Sequence, residues 1–112
     1  MVLSNVANAK DIWCWTRETS QGAVYEYYLM TETFQQISSQ ELQIDIKIVR
    51  KDRWGRLEKP RITVWNFTLT KDPVCTVRDK HQNSSSKMYV KNNPMAFQIL
   101  QLIQQLRKEK EL

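Results

Sequence analysis

The chain has 112 residues, 41% hydrophobic and 26% charged, proportions of an ordinary globular domain that exclude a disordered or fibrous class. At this length one hydrophobic core is expected, because two would each be too small to stand alone. A formal charge of +5 favours anionic partners in general: nucleic acid, acidic lipid headgroups or an acidic protein surface.

Residues 1–10 are small and polar and read as a flexible lead-in to a single β-rich domain over 11–112. The opening MVLSNVANAK lacks the pattern of a signal peptide, and no apolar run approaches the roughly 20 residues that cross a bilayer. An intracellular protein, cytoplasmic or nuclear, is expected. In that setting Cys14 and Cys75 read as two small buried hydrophobes, with no disulfide implied. The sequons at Asn66 and Asn83 are taken as chance.

From Asp11 the texture turns aromatic and β-branched. Asp11–Arg17 predicts a first strand, Thr19–Gly22 a turn, and Ala23–Thr33 the second strand of a hairpin. Phe34–Gln40 is polar and irregular and predicts a loop. In Glu41–Ile48 apolar residues fall on every even position, the period of a strand with one wet face. A charged connection around Gly55 leads to a strand over Arg61–Thr70, with Pro60 tolerated at its start. There apolar residues occupy both faces, which predicts either a strand covered on both sides or a second face meant for a partner.

Val74–Arg78 predicts a short strand, 79–87 a polar loop, and Met88–Val90 an edge strand. Asn93-Pro94 joins a good N-cap to a proline at the first helical position, and Ala96, Ile99, Leu102, Ile103 and Leu106 form an apolar stripe, so a helix is predicted over 94–110. The expected fold class is α+β: an antiparallel sheet of about six strands, a strongly bent sheet or small barrel, closed by one C-terminal helix.

Chemical motifs are few. His81 stands alone in a polar loop without a Cys-x-x-Cys, so no zinc site is expected, and two glycines cannot build a phosphate-cradling loop. No cofactor and no metal is predicted. Asp45-Ile46-Lys47 resembles the acid-x-lysine element of magnesium-dependent nucleases of the restriction-endonuclease type. That resemblance implies a further carboxylate, for which Glu26 or Glu32 could serve; alternating charge on a wet strand face produces the same triplet.

The richer constellation combines rings with cations. Arg50, Lys51, Arg53, Arg56 and Arg61 surround Trp54, and Trp65 and Phe67 follow on the next strand. Single-stranded nucleic acid needs such a surface, because bases stack on aromatic faces while Lys and Arg neutralise phosphates. Against this stands the need of a small domain to bury its rings, which applies least to Trp54 in its charged loop. Consecutive strands followed by a helix resemble, in element order, Whirly-type and positive-coactivator-type single-strand binders and also pleckstrin-homology domains. The expectation is a non-enzymatic single-strand binder with these eight residues as its site. The alternatives are a pleckstrin-like adaptor for a peptide, protein or acidic lipid, and more remotely the nuclease. Open strand edges leave room for a homodimer.

Overall fold

A computed structural model describes residues 11–109 and 112; the expected lead-in and the last predicted helical residue, Lys110, lie outside them. Six strands, β1 (Asp11–Glu18), β2 (Val24–Ser38), β3 (Glu41–Lys51), β4 (Arg61–Thr68), β5 (Val74–Asp79) and β6 (Ser85–Tyr89), form one sheet in chain order. Each pairs antiparallel with the next. The sheet is open: β1 and β6 are its edges, and the barrel alternative is not formed. A single 3-10 turn at Val90–Asn92 leads into α1, Pro94–Lys108.

The strict alternation in β3 places Leu42, Ile44, Ile46 and Ile48 on one buried face. Register carries that face to Tyr27 and Leu29 on β2 and to Thr63, Trp65 and Phe67 on β4. The helix covers it with Ala96, Ile99, Leu100, Ile103 and Leu106, and burial of this two-layer apolar contact is the main stabilising contribution. Asn93 starts the helix as predicted, its side chain accepting the Ala96 N–H at 2.9 Å, with Pro94 at the first position.

Three register shifts shape the sheet, one between β1 and β2 and two between β2 and β3, the last of them a single step between Gln36 and Ser38. Cys14 is the extra residue of a β1 bulge between Trp13 and Trp15, turned inward so that its thiol donates to the Tyr27 carbonyl at 3.3 Å. In β2 the pairing jumps from Met30–Asp45 to Gln35–Gln43. Thr33 closes that gap: its hydroxyl donates to the Met30 carbonyl at 2.7 Å and accepts the Asp45 N–H at 2.8 Å.

This second bulge corrects the expected loop at Phe34–Gln40. Those residues up to Ser38 continue β2, because Phe34 packs on the core while Gln35 and Gln36 pair with Gln43 and Leu42. The bulge resets the register, which is why no single alternation runs through the segment. The expected loop at 79–87 is likewise shorter, since β6 begins at Ser85 opposite Arg78.

Candidate nucleic-acid interface

The connection from β3 to β4 holds six basic residues against two acidic ones between Arg50 and Arg61, so four of the five net positive charges lie in this segment. It continues the β3 ladder outward: the Glu58 N–H donates to the Arg50 carbonyl at 2.9 Å, Lys51 bridges Leu57, and the Asp52 N–H donates to the Arg56 carbonyl at 2.9 Å. At the tip Gly55 adopts φ +84°, a conformation that costs a side-chain-bearing residue. Asp52 organises the turn, its carboxylate accepting the N–H groups of Trp54 and Arg56 at 2.9 Å each. Those bonds, the Arg56 N–H foremost, hold the Asp52 carboxyl below its usual pKa. Trp54, 71% exposed, and Leu57 project from this frame into solvent.

The tip does not stand alone. The β1–β2 turn is closed by Thr19, whose N–H donates to the Ala23 carbonyl at 2.8 Å and whose hydroxyl accepts the Ala23 N–H at 3.0 Å. Gly22, at φ +88°, lets this turn come against Arg53. Between the two lies a cleft of about 400 Å³ lined by Gln21, Ala23, Arg50, Asp52, Arg53 and Trp54.

Guanidinium groups stack on the rings around it. The Arg53 group lies 4.4 Å from the Trp54 ring centre, while the Tyr25 ring carries Arg17 at 4.2 Å and Arg50 at 5.6 Å. Arg50 is further fixed, its Nε donating to the Tyr25 hydroxyl at 3.1 Å and its Nη1 to the Glu58 carboxylate. Arg56 pairs with Asp52 at 3.3 Å and Arg61 with Asp79 at 3.4 Å. Among the described residues Lys51, Arg53 and Lys59 enter no ion pair.

No known family, curated protein or solved structure matches this chain.

Of the eight residues singled out from the sequence, Arg50, Lys51, Arg53, Trp54 and Arg56 share the tip, and Arg61 lies at its base opposite Ile48. Trp65 and Phe67 are corrected: they are 2% and 0% exposed, on the face that meets the helix, so neither offers a ring to a base. Their side of β4 is dry because Thr63, Trp65 and Phe67 continue the apolar face of β3. Arg17, Gln21 and Tyr25 are not among those eight. The pairing of Tyr25 with Arg50 across β2 and β3 brings them in, and two register shifts between that pair and the Ser38–Glu41 end of the hairpin hide it from the sequence.

Asp45 and Lys47 occupy the outer face of β3, each with a partner. The buried Asp45 carboxylate pairs with Lys80 at 2.6 Å, and Lys47 pairs with Asp11 at 2.5 Å and lies near the Tyr28 ring. Glu32 is exposed in the β2 bulge, and among the described residues no three His, Cys, Asp or Glu side chains gather as metal ligands. Cys14 and Cys75 are buried free thiols, each pushed up to about 12 by burial. No helix among the described residues is long and apolar enough to cross a membrane.

Proposed function

We propose that this chain is a non-enzymatic binder of single-stranded nucleic acid that works through the β3–β4 tip and not through the sheet surface. One observation carries the reading: Trp54 is exposed, one ring face covered by Arg53, within the segment that holds most of the net charge. The uncovered face is available to a base, and Lys51, Arg53 and Lys59 are available to phosphates. Arg56 and Arg61 keep exposed guanidinium groups while pairing with Asp52 and Asp79.

The test is a salt titration with a labelled oligothymidylate. Binding through three or four phosphates would make log K fall against log salt with a slope of about −2 to −3. Trp54→Ala should weaken binding at every salt concentration, and Lys51→Glu with Arg53→Glu should abolish it. Absence of binding at low salt, or indifference to these changes, overturns the reading.

Trp54 and Leu57, both exposed on a cationic tip, also suit an acidic lipid surface. Retention on phosphatidylserine vesicles without oligonucleotide binding would favour that adaptor reading. A homodimer through the β1 or β6 edge would appear as doubled mass in sedimentation.

A further inference from the structure

We infer that the cleft between the β1–β2 turn and the tip is a subsite for one nucleotide of the bound strand, with its phosphate on Arg50 and Arg53, and that Glu58 holds Arg50 in the free chain. The inference rests on the nucleic-acid reading. A volume of about 400 Å³ falls at the lower end of the range of small-ligand clefts, about 300–1,000 Å³. Its chemistry is that of a nucleotide: one stacking ring, Trp54, and two guanidinium groups at the same opening.

Arg50 is the better ordered of the two. The Tyr25 hydroxyl takes its Nε–H, and the Tyr25 ring, which also carries Arg17, lies 5.6 Å from its guanidinium. One Nη1–H goes to Glu58, and a guanidinium carries five N–H donors, so Arg50 keeps donors beyond those it gives to Tyr25 and Glu58. Tyr25 is thus a positioning residue for Arg50. The one carboxylate lining the cleft, Asp52, is spoken for by the N–H groups of Trp54 and Arg56 and by the Arg56 side chain.

Glu58 does not line the cleft but holds the Arg50 that does; among the described residues Arg50 is its only side-chain partner, and its side chain is 52% exposed. Exposed carboxylate pairs with arginine are weakly held, and phosphate presents the same forked acceptor geometry as a carboxylate with more charge. A phosphate entering the cleft therefore displaces Glu58, which turns out to solvent. Glu58 lowers affinity and rejects anions that cannot also stack on Trp54.

The experiment is the oligothymidylate salt titration on the full chain carrying Glu58→Gln, Arg50→Gln, both, or neither, with circular dichroism confirming the fold of each. Glu58→Gln should tighten binding several-fold and steepen the salt slope by about 0.7, the increment of one further phosphate contact on a single strand. Arg50→Gln should weaken binding, and the double variant should match Arg50→Gln alone, because the gain acts through Arg50. A gain that survives in the Arg50→Gln background would reduce Glu58 to general repulsion and overturn the subsite. Oligonucleotide binding unmoved by Glu58→Gln would overturn the subsite while leaving the nucleic-acid reading intact. Failure of every variant to bind would remove both.

Discussion

Gly22 lies so close to Arg53 that a Cβ built on it would stand 3.0 Å from the Arg53 Cβ. Two turns distant in sequence come together there, and Gln21 and Ala23 on either side of Gly22 line the cleft with Arg53.

Gly22→Ala should therefore do two things. At φ +88° the added methyl strains the backbone by about 1–2 kcal/mol, and it pushes the β1–β2 turn away from Arg53. Gly55→Ala has the same backbone strain at φ +84° but meets nothing within 4 Å. Urea unfolding should show a loss for both, the larger for Gly22→Ala, and oligonucleotide binding measured on the folded chains should also fall further for Gly22→Ala. Equal binding by both variants would count against a functional cleft.

Tryptophans at 54 and 65 should separate cleanly. Trp65→Ala removes a buried ring and should cost about 3–5 kcal/mol of stability. Trp54→Ala touches only the exposed tip and should stay within about 0.5 kcal/mol of the parent, yet lose about 1–3 kcal/mol of binding to a single strand. Denaturant melts beside binding isotherms check both halves.

Thr63 is the polar hinge of the core. Its hydroxyl donates to the Ile46 carbonyl at 3.0 Å and accepts the Trp65 indole N–H at 2.9 Å. Thr63→Val keeps the shape and strands a buried indole N–H, for an expected loss of about 1–3 kcal/mol. Thr63→Ser keeps both bonds and should lose less. A serine variant weaker than the valine variant would mean that packing, not the hydroxyl, dominates.

The two thiols predict an alkaline limit. Burial raises Cys14 and Cys75 to about 12, above the ordinary thiol value near 9, so between roughly pH 9 and 12 the folded chain holds protons that the unfolded chain has lost. The neutral-thiol contribution is present below pH 9 and falls as pH rises, by about 1.4 kcal/mol per pH unit for each cysteine. Urea midpoints measured from pH 8 to 11 should decline, and more gently in Cys75→Ala. At pH 8 both thiols should resist a soluble thiol reagent until the chain unfolds.

Much of the architecture was legible before the tertiary structure. Leu42–Ile48 alternate without a break, and Asn93-Pro94 with its stripe marks a helix start that only local geometry requires. The second half of β2 was not legible, because the bulge bridged by Thr33 shifts the register and hides the alternation. Of the site, Trp54 and its flanking cations could be singled out since charge makes burial costly around them, whereas Arg17 and Tyr25 are ordinary strand residues in sequence.

The sequence by itself determined the antiparallel sheet, its closing helix and the concentration of positive charge at one connection, because periodicity, capping and charge are local properties. Only the tertiary structure decided that Trp65 and Phe67 are core, since which face of β4 meets the helix depends on register with β3. It alone decided that the β1–β2 turn meets the tip through Gly22, because a contact across the fold has no local signature.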